Sequence, residues 1–272
     1  GGSYDATNVI DQPALSVITP IDFDHKAFLG SDIRKIAGEK AGIIKSGRPA
    51  LTAIQRKICD DVIAKRAEDV GAPLYRLKAH FIDAMPEDLG LLGEHQRANA
   101  ALAAMAVQLF GNSTIIDQNA IFEGARNVVW PARMQRLKDG PLTALAPDQE
   151  IWLDGGHNPH AARAIARQLN NMPGRTALVA AMLASKDATG YFMPFRQVRP
   201  EVFTLPNAPG HQGAEPQALA EAATNAGLKA AACDSLEAAL KAAAATGVDR
   251  ILICGSLYLA GEVLAQNGEP PV

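Results

Sequence analysis

The sequence has little cysteine, no excess of basic residues and no long apolar run. Its three cysteines are odd in number and widely spaced, which excludes a disulfide framework or a C-x-x-C zinc site and predicts a reducing, cytoplasmic location. No apolar stretch approaches the roughly 18 residues that cross a bilayer, and residues 1–15 carry no signal-peptide pattern. The net charge of -3 gives no basic surface that would predict nucleic acid as a partner.

A phosphate-binding loop of the form G-x-x-x-x-G-K-[ST] is also missing from the 272 residues. What is present is the composition of a soluble globular protein, with 48% apolar and 20% charged residues. The length allows one large domain or two ordinary ones.

Short apolar runs alternate with helical patterns along the chain, which predicts an α/β fold with parallel sheets. Strands are expected at 14–18, 48–54, 72–77, 151–153, 176–182 and 250–254. Helices are expected at 33–44, 56–69, 93–110 and 118–127, with two more within 214–246. Pro131 breaks the helical pattern, so we place a domain boundary between 1–130 and 131–272.

The first of these helices carries a lysine on its apolar face. The apolar positions recur at spacings of three and four: Ile33, Ile36, Ala37, Ala41 and Ile44. Lys40 shares this face, and a buried ammonium tends toward its neutral form or needs a partner. A neutral amine can be carbamylated by CO2 and become an anionic oxygen ligand. The pattern alone favours a plainer interpretation, in which the ammonium reaches past the apolar surface to water.

The segment S-V-I-T-P-I-D-F-D-H-K-A-F-L-G, followed by K-I-A-G-E-K-A-G-I-I-K, closely resembles the family of folylpolyglutamate synthases and dihydrofolate synthases. These are ATP-dependent ligases related to the Mur ligases. The resemblance implies that His25 binds Mg2+ and that Lys40 is carbamylated, acting as a metal ligand and a catalytic group. Without the resemblance, His25 would be interpreted as a structural histidine, because Mg2+ prefers oxygen ligands.

Two further segments of the first half resemble this family. G-G-S-Y-D-A-T-N is similar to G-G-R-x-D-A-T-N, with Ser3 in place of arginine, and implies that Tyr4, Asp5 and Ala6 bind the pterin. By itself this segment predicts only a polar turn. H-Q-R-A-N-A is similar to H-Q-x-x-N-A and implies that Asn99 contacts ATP. The alternative for Asn99 is a local hydrogen bond early in its helix.

The segment P-A-R-M-Q resembles the family's P-G-R, with Ala132 in place of glycine. It implies that Arg133 clamps the nucleotide phosphates, a role suited to a planar, permanently charged guanidinium. The alternative is an ordinary surface ion pair.

The second half has three informative strand-to-helix turns. In the first, D-G-G-H-N-P, Asn158 is predicted to cap a helix whose first turn holds Pro159. The turn resembles the family's D-x-A-H-N-P, with Gly156 in place of alanine. The resemblance implies that Asp154 contacts ATP and that His157 is catalytic, near the glutamate and the phosphate.

The second turn, M-L-A-S-K-D, resembles M-L-A-D-K-D, with Ser185 in place of aspartate. It implies that Lys186 is the catalytic cation facing the phosphate or the incoming glutamate. The third, C-G-S-L-Y-L-A-G, resembles G-S-x-Y-L-x-G and implies that Ser256 helps to bind glutamate; alternatively, Ser256 only caps the last helix. Because the carboxyl ends of parallel strands share one edge, the three turns are expected to converge there.

The resemblance implies the C-terminal part of a Mur-ligase-like P-loop domain, followed by a Rossmann-like ligase domain. It further implies a ligase that joins L-glutamate to dihydropteroate or folate through an acyl phosphate. ATP is the implied co-substrate, Mg2+ the implied cofactor, and the partners are small molecules, with no membrane. We expect a monomer that is the C-terminal portion of a longer enzyme, so that the chain alone is inactive and binds ATP weakly.

Three alternatives remain open at the level of sequence. A Mur-type peptide ligase would share the fold and the metal chemistry. A non-catalytic module would bind ligands without turning them over. A metallohydrolase with a carbamylated lysine is disfavoured because the sequence has no H-x-H cluster.

Overall fold

A computed structural model describes residues 2–22, 32–110 and 116–270. The chain divides into two compact units: the first comprises Gly1–Gly90 and Glu94–Val128, and the second Leu91–Gly93 and Val129–Val272. Within the described ranges, no helix combines the length and the hydrophobicity needed to cross a membrane.

The first unit contains a three-stranded parallel sheet. Its strands, in the spatial order β1-β2-β3, are β1 (Ser16–Ile18), β2 (Ala50–Thr52) and β3 (Leu74–Arg76). Its α-helices are α1 (Ile33–Ala41), α2 (Lys57–Asp69), α3 (Ala79–Asp83), α4 (Glu94–Phe110) and α5 (Gln118–Asn127). A 3-10 helix, Ala6–Val9, precedes β1.

Helix α1 forms because its start and its buried face are both encoded locally. The Asp32 carboxylate accepts a hydrogen bond from the Arg34 amide at 2.9 Å and caps the first turn. Ile36 and Ala41 are fully buried against α2 and the sheet, which confirms the predicted apolar face. Ile44 is also buried, although the helix ends before it, at Ala41.

The second unit is built on a six-stranded sheet with the order β4-β5-β9-β6-β7-β8. Its strands are β4 (Gln135–Arg136), β5 (Glu150–Asp154), β6 (Thr176–Ala180), β7 (Glu201–Thr204), β8 (Ala230–Ala232) and β9 (Arg250–Cys254). Its α-helices are α6 (Pro159–Asn170), α7 (Ala188–Phe192), α8 (Pro216–Asn225), α9 (Leu236–Ala245) and α10 (Leu257–Gln266). Two 3-10 helices, Thr143–Leu145 and Met193–Gln197, complete it.

The strands of this sheet are buried on both faces, as continuous apolar runs predict. Along β6, Ala177 and Val179 pack with α9 and α10 on one face, whereas Leu178 and Ala180 pack with α6, α7 and α8 on the other. The second unit is therefore a three-layer α/β structure. All neighbouring strands are parallel except β4 and β5, so the α/β fold class and the parallel sheets are confirmed.

The predicted α5 matches the observed bounds, and the other predicted helices and strands agree to within a few residues. Strands β4, β7 and β8 were not predicted. Strand β4 is the polar pair Q-R, and β8 is A-A-A, a composition that favours helix, so neither has the apolar pattern of a strand.

Candidate active site

The three strand-to-helix turns of the second unit lie side by side at one edge of its sheet. Strand β9 pairs with both β5 and β6, so the carboxyl ends of these three strands are neighbours. The Gly255 amide donates to the Gly156 carbonyl oxygen at 3.1 Å, which joins the turns after β9 and β5. A Cβ atom on Gly255 would lie 2.5 Å from the carbonyl oxygen of Ala181, where the turn after β6 begins. The predicted convergence of the turns is confirmed.

Asp154, the last residue of β5, is only 7% exposed. Its Oδ1 accepts from the Gly156 amide at 2.7 Å, and its Oδ2 accepts from the Met134 amide at 2.9 Å. Burial raises the pKa of the Asp154 carboxyl, while the two amide hydrogen bonds and nearby Arg133 oppose that rise. Both carboxylate oxygens are therefore engaged by the protein's own backbone.

Arg133 lies on a loop that is pinned to the end of β5. The Gly155 amide donates to the Ala132 carbonyl oxygen at 2.9 Å, and the same oxygen accepts from Arg133 Nη1 at 3.1 Å. Both neighbours of Arg133 have left-handed backbones, with φ of 54° at Ala132 and 43° at Met134. The family's glycine at position 132 would adopt this conformation without a Cβ penalty.

His157 and Asn158 lie at the start of α6. The Asn158 side chain accepts from the Ala161 amide at 2.9 Å, and Pro159 occupies the first turn, so the predicted cap is confirmed. His157 Nδ1 lies 3.0 Å from the Gly155 carbonyl oxygen. Because a carbonyl only accepts, Nδ1 carries the proton, and Nε2 is the acceptor of the neutral ring.

Lys186 and Ser256 occupy the other two turns. Lys186 is half-buried, and its amide donates to the Leu183 carbonyl oxygen at 3.1 Å. Ser256 is 3% exposed, and its Oγ accepts from the amides of Tyr258 and Leu259 at 3.2 and 3.3 Å. The structure thus shows Ser256 as the cap of α10, which was the alternative to its binding role.

In the first unit, the structure brings the predicted pterin loop against the helix that carries Lys40. The Ser3 amide donates to the Glu39 carbonyl oxygen at 2.9 Å, one residue before Lys40. Asp5 caps the adjacent 3-10 helix, and its hydrogen bonds from Thr7 lower the pKa of the Asp5 carboxyl to about 2. Tyr4 is 91% exposed beside it, and Ala6 begins the 3-10 helix.

Lys40 itself is half-buried. Its ammonium forms no ion pair or hydrogen bond with the part of the chain that the structure describes. The snorkelling interpretation and carbamylation both remain compatible with this environment.

Asn99 lies on α4, and its Nδ2 donates to Gln96 Oε1 at 3.0 Å, so the local hydrogen bond that sequence offered as an alternative is present. His25 falls within residues 23–31, outside the described residues. Among residues 2–22, 32–110 and 116–270, no group of three or more His, Cys, Asp or Glu side chains could hold a metal ion.

Sequence reasoning missed the backbone amide of Met134, which binds Asp154. No side-chain pattern signals such a contact. The one available signal was Ala132 in a position where the family has glycine, because a glycine in a loop often marks a left-handed backbone.

Comparison with known proteins defines the class. Residues 132–257, which include the loop of Arg133 and all three turns, match the family described as Mur ligase, glutamate ligase domain. The second unit is thus a Mur ligase C-terminal domain.

Whole-chain comparisons define the family more closely. The chain is 33% identical to the dihydrofolate synthase/folylpolyglutamate synthase of Bacillus subtilis over 209 residues, which cover 69% of this chain and 46% of that protein. A structure of Mycobacterium tuberculosis folylpolyglutamate synthase complexed with ADP and AMPPCP superposes with a TM-score of 0.87 at 28% identity, covering 100% of this chain and 67% of that one. The chain is thus similar to folylpolyglutamate synthases and dihydrofolate synthases.

A third relative carries a metal. The bifunctional folylpolyglutamate synthase/dihydrofolate synthase of Yersinia pestis, complexed with AMPPNP and a Mn ion, superposes with a TM-score of 0.77 at 26% identity. The match covers 97% of this chain and 64% of that one. The chain thus spans about half to two thirds of the length of these relatives.

Proposed function

We propose that this chain is part of an ATP-dependent ligase that joins L-glutamate to the carboxylate of dihydropteroate or folate. The convergence of the turns after β5, β6 and β9 within the matched glutamate ligase domain carries this proposal. In the reaction, the carboxylate attacks the γ-phosphorus of ATP and ADP leaves. The glutamate amine then attacks the acyl phosphate, and phosphate leaves. The protein contributes to such chemistry mainly by placing charged groups in fixed positions, where they stabilise the charge that develops on the phosphate.

The second unit supplies the groups for glutamate and phosphate. Arg133 is a half-buried, forked cation on a pinned loop, suited to a phosphate. Lys186 adds a second cation from the turn after β6. His157, whose Nδ1 lies 3.0 Å from the Gly155 carbonyl oxygen at the start of α6, would act as the base for the glutamate amine. Asp154 would contact the nucleotide, and Ser256 would contribute to glutamate binding. Asn99, on α4 of the first unit, is a separate candidate for a nucleotide contact.

The first unit supplies the pterin loop and the candidate metal ligands. Tyr4, Asp5 and Ala6 would contact the pterin, and His25 with a carbamylated Lys40 would hold Mg2+. The Mn ion of the Yersinia pestis relative supports a divalent ion in this family. When bound, Mg2+ would neutralise phosphate charge. A Lys40 amine without an acidic partner among the described residues is compatible with carbamylation.

The assignment is tested by glutamate-dependent release of ADP. Two proteins are assayed: the 272-residue chain and the longest protein that its reading frame encodes, called the longer product below. Each is assayed with dihydropteroate, with folate and with a UDP-muramyl substrate. We expect turnover with a pterin substrate in the longer product and little in the chain alone. Turnover with the UDP-muramyl substrate only would contradict the proposal.

Lys40 is tested with Lys40→Ala in the longer product, against Lys35→Ala on an exposed position of the same helix. We expect Lys40→Ala to lower the rate by about a hundredfold or more and Lys35→Ala to leave it unchanged. A carbamate signal from 13CO2 in NMR spectra, lost in Lys40→Ala, would identify the modification. We also propose that the protein is monomeric, which size-exclusion chromatography tests. We propose a cytoplasmic location, because free cysteines are typical of a reducing compartment, and cell fractionation tests it.

A further inference from the structure

The carboxylate of Asp154 joins two parts of the second unit that are distant in sequence. Through Oδ2 it holds the amide of Met134, twenty residues earlier, and through Oδ1 it holds the amide of Gly156 in its own turn. With both oxygens occupied and 7% of its surface exposed, the side chain presents little area to a ligand.

The segment that it holds is strained. Ala132 and Met134 both have a positive φ, and a residue with a Cβ atom disfavours this left-handed backbone. Such a conformation persists only where the surroundings fix it. Three hydrogen bonds do so here: Met134 N to Asp154 Oδ2, Gly155 N to the Ala132 oxygen, and Ala132 N to Gln135 Oε1, each 2.9 Å long.

The strained segment fixes the direction of one side chain, that of Arg133. Its Nη1 donates to the Ala132 carbonyl oxygen, the same oxygen that Gly155 holds. A Cβ atom on Gly155 would lie 3.3 Å from Nη1 and closer still to the Leu257 side chain, so the guanidinium lies beside the turn after β5. The absence of a side chain at position 155 leaves room for both neighbours.

We propose that Asp154 is a positioning residue, which clamps the 132–135 loop to the end of β5 and thereby orients the Arg133 guanidinium. This differs from the direct nucleotide contact that the resemblance implies for Asp154. This proposal depends on the proposed function in one respect, namely that the ligand of Arg133 is a phosphate. The clamp itself is a property of the unliganded protein.

The chemistry of the clamp requires an acceptor at both side-chain oxygens. Asparagine has the same shape but presents an NH2 group at one of these positions, where it would face an amide N–H. Asp154→Asn therefore releases either Met134 or Gly156. The left-handed residues beside Arg133 then favour relaxation of the loop.

The first test is amide hydrogen exchange and NMR of the 272-residue chain without ligand. In Asp154→Ala, which removes both acceptor oxygens, we expect the Met134 amide to exchange about tenfold faster or more and the Arg133 side-chain NH signals to shift and average. In Asp154→Asn we expect faster exchange at Met134 or at Gly156, whichever faces the NH2 group. The matched control is Asp249→Asn, because Asp249 also accepts a backbone amide, that of Arg175, at 2.7 Å. That variant should change exchange at Arg175 and leave Met134 and Arg133 unchanged.

The outcome that overturns the clamp is an unchanged Met134 amide, or unchanged Arg133 signals, in a folded Asp154→Ala variant. If Asp154→Ala does not fold, the same measurement on Gln135→Ala decides. This variant removes only the Gln135 acceptor of the Ala132 amide, and we expect the Arg133 signals to shift in it.

The second test asks whether Asp154 acts through Arg133. AMPPNP affinity is measured by calorimetry in the longest protein from this reading frame that folds and binds AMPPNP. The variants compared are Asp154→Asn, Arg133→Ala and the double variant. A positioning role predicts that the double variant binds no more weakly than Arg133→Ala alone. Additive losses would mean that Asp154 contacts the nucleotide itself and would overturn the positioning role. Absence of AMPPNP binding in every product would contradict the proposed function, while the exchange test would still decide the clamp.

Discussion

The turn after β5 and the turn after β9 are neighbours at the same sheet edge, yet they are built by different means. The first buries a charge, Asp154, and satisfies it with two backbone amides. The second, at Gly255 and Ser256, buries no charge. It depends on a glycine with φ of 97° that passes close to the Ala181 carbonyl oxygen, and on a serine that caps α10. The first turn therefore holds the loop of Arg133 in place, and the second brings two strands and the start of a helix together.

This comparison predicts that steric change is most harmful in the turn after β9. Gly255→Ala adds a Cβ where a backbone oxygen would lie at 2.5 Å and at a φ that alanine avoids. We expect the free energy of unfolding of the second unit to fall by about 3 kcal/mol, measured by urea denaturation. Gly268→Ala is the control, because Gly268 has φ of 79° and open space around its Cβ position; it should cost about 1 kcal/mol. Equal losses would mean that the close approach does not matter.

The cap of α10 should contribute less. Ser256→Ala leaves the amides of Tyr258 and Leu259 without their side-chain acceptor, and we expect a loss of about 1–2 kcal/mol. Ser235→Ala removes the corresponding cap of α9, a single hydrogen bond to Ala238 at 3.1 Å, and should cost about 1 kcal/mol.

These two serine variants also separate the cap from substrate binding. If Ser256 only caps the helix, Ser256→Ala and Ser235→Ala leave the KM for glutamate equal. A higher KM in Ser256→Ala alone would support the binding role.

Relief of strain should give a smaller, opposite effect. Ala132→Gly removes the Cβ penalty at φ of 54° but adds backbone entropy to the unfolded chain, so we expect a gain of about 0.5 kcal/mol. Arg199→Gly, at φ of 52°, should give a similar gain in thermal unfolding. A loss of stability in Ala132→Gly would show that the Cβ atom of Ala132 contributes packing that outweighs its strain.

The charge of Asp154 should produce a pH dependence rather than a fixed loss. Burial raises the pKa of Asp154 above its unfolded value of 3.8, so the protonated form favours the folded state. The contribution of protonated Asp154 to stability is complete below about pH 3.8 and is lost as the pH rises through the pKa of the folded state. The free energy of unfolding of the wild type, minus that of Asp154→Asn, should therefore fall between pH 3.8 and the folded pKa and stay level at higher pH. A difference that grows with pH would contradict the stated burial effect.

Much of the fold followed from local patterns. The spacing of Ile36, Ala37 and Ala41 predicted the buried face of α1, and the D-G-G-H-N-P segment predicted the strand end and the cap at Asn158. These features depend on residues within a few positions of one another, so their physical causes can be recognised from the sequence. The polar sites of Lys40, Arg133 and Asp154 were named from a family resemblance, not from periodicity.

By itself the sequence determined the alternation of strands and helices, the apolar faces and the caps, because periodicity and capping act over a few residues. Only the tertiary structure decided that β9 lies between β5 and β6, and that the amide of Met134 binds Asp154. Strand order depends on how whole layers pack, and every residue other than proline carries the same backbone N–H group. The left-handed backbone at Ala132 has the same origin: alanine avoids that conformation on its own and adopts it here because distant groups hold the chain there.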